Sequence, residues 1–174
     1  FLHEAIPGHH YQVSLQQENT TLPKFRRFGG YSAFNEGWGL YAESLGPELG
    51  VFKAPYQHMG HLGAEIHRAL RLVVDVGLHT GRLSREQAIA YMQANEAISE
   101  QGATAEVERY MAAPGQALSY KTGQLKLLEL RTRYEKQFGP KFSLRAFHDE
   151  ILAGGSMPLA VLERTMDAWA ARQR

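Results

Sequence analysis

The 174-residue chain contains no cysteine, which excludes a disulfide framework, thiol catalysis and a cysteine-ligated zinc site. It also lacks an excess of either charge. The 19 Lys and Arg against 18 Asp and Glu are interspersed and leave +1, so there is no footprint for nucleic acid or an anionic membrane surface. No apolar run approaches the roughly 20 residues of a spanning helix; the longest, 70–78, is broken by Arg71 and Asp75. There is no leader-like segment, and the chain opens at Phe1-Leu2 without Met. Its most chemically loaded motif already begins at His3. The expectation is therefore a piece of a longer protein, with an N-terminal portion and any targeting signal outside these residues. With 44% hydrophobic and 21% charged residues, the chain has the composition of a globular core and not of a disordered tail.

The pattern along the chain is helix after helix with short Gly/Pro punctuation. Helical composition covers Phe1 to about Glu18, interrupted at Pro7-Gly8, and a Thr/Pro/Gly-rich loop spans Asn19–Gly30. A second helix over Ser32–Leu45 is stopped by Gly46-Pro47. A long one runs from Pro55 to about His79, with Leu62, Ile66, Ala69, Leu70, Val73 and Val76 at helical spacing. Ser84-Arg85-Glu86-Gln87 reads as a capping box opening a helix to about Ala97. Ala103–Ala112, Gln116–Phe138, Leu144–Ala153 and Leu159–Ala171 follow, the last with Leu159, Leu162, Met166 and Trp169 on one stripe. The class is all-α, one helical subdomain over 1–174, with a short edge strand left open in the Arg26–Tyr31 region.

Chemistry concentrates in His3-Glu4-Ala5-Ile6-Pro7-Gly8-His9-His10. A zinc hydrolase site of the H-E-x-x-H kind puts two imidazoles on one helix face and a glutamate beside the water they activate. Position 7 is Pro, so the plain motif fails; removing Pro7-Gly8 leaves His-Glu-Ala-Ile-His. Proline cannot donate to the residue 3 carbonyl, and glycine accepts unusual dihedrals. The pair can thus absorb two extra residues and return His9 to the side of His3. His10 is the alternative second ligand, at nearly the same angle but roughly 10 Å along a straight helix. A polar, kinked helix start is the bland explanation, and three histidines and a glutamate within eight residues argue against it. For the third ligand that catalytic zinc needs, the helix over 32–45 offers Glu36, 27 residues after His9 among apolar and aromatic neighbours. Glu43, two turns on, is placed either to bond a ligand histidine or to lie on the surface.

Asn35-Glu36-Gly37-Trp38 with Tyr41 and Glu43 resembles the N-E-G-F-x-x-Y-x-E segment of the M1 aminopeptidases, whose glutamate there binds zinc. More closely, His3 to Gln12 and Glu36 to Tyr41 are similar to a bacterial family of unknown function, DUF885, grouped with gluzincin-like metallopeptidases. The stretch from Arg71 to His79, Arg109-Tyr110 with Pro114 to Tyr120, and Phe147-His148-Asp149 carry the same resemblance, which covers essentially the whole chain. It implies the helical C-terminal part of a zincin-like metallohydrolase, with zinc-site helices at about 1–18 and 32–45. Sites of that kind use a Tyr or His to stabilise an oxyanion, for which Tyr120, Tyr110 and His79 are candidates.

Arg71, Asp75 and His79 form one polar stripe. Arg71 could grip a substrate carboxylate and Asp75 could support the site, or the three could be an i,i+4 ion-pair ladder. His58, His61 and Glu65 lack an adjacent base and read as a solvated face; His67 and His148 read as core or surface residues.

The expected function is zinc-dependent hydrolysis, of a peptide bond first. His3, His9 and Glu36 would bind the metal, and Glu4 would take the proton of water. Hydrolysis of a non-peptide amide or ester, or a helical domain with a closed structural site, are the alternatives. The expected partners are a peptide or small amide substrate, the missing N-terminal portion, and a second copy through an apolar face, making a homodimer.

Overall fold

A computed structural model describes residues 1–173. The elements are helical throughout, with no strand among the described residues. They divide into two compact units.

The first unit comprises residues 1–46 and those from Thr122 onward. It contains α1 (His9–Glu18), α2 (Lys24–Phe28), α3 (Ser32–Ser44), most of α7 (Ser119–Phe138), α8 (Leu144–Ala153) and α9 (Leu159–Arg172). Its core is aromatic: Phe34, Trp38 and Tyr41 from α3, Tyr134 from α7, Phe147 from α8 and Trp169 from α9, joined by Leu162 and Met166. The stripe expected on the last helix is the one buried. α3 and α7 approach backbone to backbone. A Cβ on Gly37 would stand 2.5 Å from the Gly123 Cα, and one on Gly123 would stand 1.9 Å from the Ala33 carbonyl. Only glycine permits that crossing, and it fixes the segment of α3 that begins at Glu36.

The second unit, Pro47–Lys121, holds α4 (Pro55–His79), α5 (Arg85–Asn95), α6 (Glu100–Ala112) and a 3₁₀ turn at Gln116–Leu118. Its core is built from smaller residues: Val74, Ala88, Ile89, Met92, Ala103, Val107 and Ala117, with Tyr110 the large one. The capping box forms as its sequence implies. Ser84 Oγ accepts from Gln87 N–H at 3.2 Å, and Gln87 Oε1 accepts from Ser84 N–H at 2.8 Å.

Two expectations need correction. The first helix starts at His9 and not at Phe1; residues 1–8 are turns and bends, with a cis Ile6–Pro7 bond. The 26–31 stretch is not a strand but the end of α2 and the irregular link after it. The reason is the buried Gln16, whose amide donates to the Arg26 carbonyl at 2.7 Å and the Gly29 carbonyl at 2.8 Å, taking acceptors a strand would offer to a neighbour. Of the apolar positions at helical spacing on α4, Leu70 is buried and most of the others face outward. Leu62, Ile66, Val73 and Val76 are exposed, while Leu70, Arg71, Val74 and Asp75 are buried. Buried polar groups persist where they are partnered, and here partners come from α6 and the turn after it.

Candidate metal centre

Local backbone explains how His9 returns to His3. The His9 N–H donates to the His3 carbonyl at 2.8 Å, His10 to Glu4 at 3.0 Å and Tyr11 to Ala5 at 3.3 Å. Each bond spans six residues where a helix spans four, so Pro7-Gly8 is looped out and the helical ladder closes around it. Gly8 is required there, since a Cβ would stand 1.8 Å from the His3 carbonyl oxygen. The Trp38 indole N–H donates to the Pro7 carbonyl at 2.8 Å, pinning the extruded pair to α3.

Three donor groups converge as a result. Ligand atoms of His3, His9 and Glu36 all lie within 4.8 Å of one another. Glu36 Oε2 is 3.5 Å from His3 Nε2 and 3.3 Å from His9 Nε2. A tetrahedral zinc ion with ligands at about 2.0–2.1 Å sets its donors about 3.3–3.4 Å apart, so both edges suit it. The other ring nitrogens are engaged elsewhere. His3 Nδ1 is 2.6 Å from Glu43 Oε1, and His9 Nδ1 is 3.4 Å from Gln12 Oε1. Such bonds fix ring orientation and leave Nε2 for an ion. Gly39 makes room for the His3 ring, because a Cβ there would meet Nε2 at 2.7 Å.

Burial alone would lower the His3 pKa, but hydrogen bonds to Glu36 and Glu43 raise it to about 9. The bond to Glu36 is the leading reason that His9 is raised, against the effect of burial. Burial pushes Glu36 upward, yet the two histidines bring it down to about 2. The cluster thus draws positive charge, for which a metal ion and protons would compete.

Glu4 is exposed, and its charge adds to the upward pull on His3. His10 is exposed and outside the group. Glu43, open to two readings in the sequence, is the partner of His3. Sequence reasoning missed the role of Gln12, a buried residue that faces His9 and donates to Asn35 Oδ1 at 2.8 Å. Its i+3 spacing from His9 was the available signal.

The remaining expected residues belong to the second unit. Arg71 is 3% exposed; it donates from Nη2 to Glu106 at 2.6 Å and from Nε to the Tyr110 hydroxyl at 3.0 Å. Asp75 does not extend an ion-pair ladder to Arg71. It accepts from Gly115 N–H at 3.1 Å, and His79 Nδ1 stands 3.3 Å from its carboxylate and 2.9 Å from its carbonyl. Gln116 donates to the Tyr120 hydroxyl at 3.2 Å. His67 is bonded to Glu96 at 2.9 Å, whereas His148, in the first unit, meets the Tyr41 hydroxyl at 2.8 Å. Glu65 pairs with Lys121, and His58 and His61 form no donor cluster with it among the described residues.

The family described as "Bacterial protein of unknown function (DUF885)" matches residues 1–166. No curated protein matches the chain. A crystal structure of a candidate lipoprotein from Colwellia psychrerythraea superposes with a TM-score of 0.95 at 48% identity, covering 98% of this chain and 29% of that one. A second, a candidate lipoprotein of unknown function from Shewanella oneidensis, gives 0.86 at 28% identity, covering 95% and 30%. The chain therefore spans under a third of the length of these solved relatives.

Proposed function

The chain belongs to the bacterial family DUF885, and from the geometry of its His–Glu cluster we propose a zinc-dependent hydrolase that cleaves a peptide bond or a related amide. One observation carries this reading: two imidazoles and a carboxylate converge with their Nε2 and Oε2 atoms, while the opposite ring nitrogens are already bonded. His3, His9 and Glu36 would hold the ion and leave a position open, the arrangement of catalytic and not of structural zinc. When bound, zinc supplies Lewis acidity that polarises a carbonyl and acidifies water.

The chain's own residues do the rest. Glu43 and Gln12 orient the two rings, and Glu36 brings the negative charge that draws a cation to them. Glu4, exposed and next to His3, takes the proton of the attacking water and returns it to the departing amine. No helix among the described residues is long and apolar enough to cross a membrane. Because both solved relatives carry the description of candidate lipoproteins, we extend to the whole protein a lipid anchor outside these residues.

The test is zinc titration with a panel of peptides and amides, on the wild type and on Glu4→Gln. The variant is expected to keep one zinc and to lose about 10²–10⁴ in rate. Near wild-type turnover in Glu4→Gln would remove the assigned base, and absence of stoichiometric zinc binding would remove the reading altogether.

A further inference from the structure

The second unit contains two guanidiniums with unused donors beside one tyrosine ring. Arg68 and Arg71 are one turn apart on α4. Both pack over the ring of Tyr120, with Cζ 4.8 Å and 4.9 Å from its centroid. Arg71 is locked by Glu106 and Tyr110, and it also lies over the Tyr110 ring at 5.4 Å. Even so, its Nη1 is buried with no hydrogen-bond partner. Arg68 is less provided for. It is half-buried, its Nε is buried without an acceptor, and its guanidinium makes no hydrogen bond or ion pair with any described residue.

The nearby acids are spoken for. Glu106 serves Arg71, Tyr110 and His67; Glu96 serves His67; Glu65 serves Lys121. Two like charges against one aromatic ring repel each other, and donors buried without acceptors are costly. Stacking on Tyr120 offsets part of this but accepts none of the N–H groups. A planar anion with two oxygens would answer both problems, because its geometry matches the guanidinium fork.

We propose that Arg68, backed by Arg71 and Tyr120, is a binding site for a ligand carboxylate. The shared chemistry is a carboxylate, whether the free C-terminus of a peptide or an acidic side chain. The site lies within one unit and does not depend on the metal reading, so binding is expected with metal removed by a chelator.

The experiment is calorimetric titration of the metal-free 174-residue chain, paired with NMR of the arginine Nε–H signals. Three probes are used: N-acetyl-alanyl-alanine, its C-terminal amide, and N-acetyl-glutamic acid α-amide. The first or third is expected to saturate and to shift the Arg68 signal, the tighter one identifying the source of the carboxylate, while the amide should not bind. Arg68→Gln should weaken binding by about tenfold or more, as loss of a charge-assisted pair implies. Arg68→Lys, which keeps the charge and the stem, should weaken it several-fold because an ammonium cannot fork to two oxygens. That variant keeps the test usable if the glutamine variant does not fold. Equal binding of the amide, unchanged affinity in a folded Arg68 variant, or no saturation at millimolar probe would each overturn the proposal.

Discussion

The two units bury their polar groups in different company. The first is built round large rings, Phe34, Trp38, Tyr41, Tyr134, Phe147 and Trp169. Its interior polar residues, Gln12, Gln16, Gln124 and Ser156, are uncharged. The second has a leaner core of alanine, valine, isoleucine and methionine around a single Tyr110, and it buries charge in Arg71 and Asp75. In the first, rigidity comes from packing, and the charged cluster of His3, His9 and Glu36 sits part-buried at its margin. In the second, ion pairs and hydrogen bonds to charge do part of the work that apolar volume does elsewhere. Electrostatic stress should therefore fall differently on the two, and so should substitution.

The largest effect separating them is loss of the metal. His3→Ala or Glu36→Ala should abolish stoichiometric zinc binding in a titration while leaving hydrogen-exchange protection of α5 and α6 unchanged; retained full occupancy would break the assignment. Next is the aromatic core. Phe147→Ala, at a residue with no exposure, should destabilise by about 3–5 kcal/mol in denaturant unfolding. A cost below about 1 kcal/mol would mean that the rings of the first unit are not its principal support. Glu43→Gln comes third, with a fall of about 10–100-fold in zinc affinity from a loosened His3. Unchanged affinity would make the 2.6 Å contact mere packing.

Acid and base sharpen the contrast. In the second unit the bond from His67 leads a set of contacts, with Tyr110 and Arg71, that hold Glu106 well below the usual carboxylate range. Since the folded value is lowered, that stabilisation is present above the ordinary value of 4.5 and is lost as pH falls below it. The first unit loses the Glu36 contribution in the same direction, between 4.5 and about 2. It also has a limb that begins near neutrality. With metal chelated, the raised His3 contributes fully below 6.5 and progressively less as pH climbs through about 9. Residue-resolved hydrogen exchange should show this alkaline loss in α3 and not in α6; equal loss in both would erase the distinction. The smallest effect is on the outer face of α4. Val73→Ser, at a residue 46% exposed, should change stability by no more than about 0.5 kcal/mol, while Val74→Ser one residue on, fully buried, should cost several times that.

Periodicity and punctuation in the sequence were sufficient for the all-helical class, for most helix limits and for the Ser84 capping box, because these depend on neighbours within a few positions. The looped-out Pro7-Gly8 was legible for the same reason: a missing donor and a missing Cβ are local properties, and they bring His9 to the His3 carbonyl. Glu36 and Glu43 could be picked out by spacing along one helix.

What tertiary structure decided was which polar groups find partners across the chain. Gln12 became the support of His9 only through Asn35, and Gln16 turned an open segment into the end of α2. The inward face of α4 could not be read from its own pattern. An apolar stripe and a polar one lie on the same helix, and burial of the polar one depends on Glu106, Tyr110 and Gly115 arriving from elsewhere. A charged side chain is buried when distant groups satisfy it, and no local period records where those groups will be.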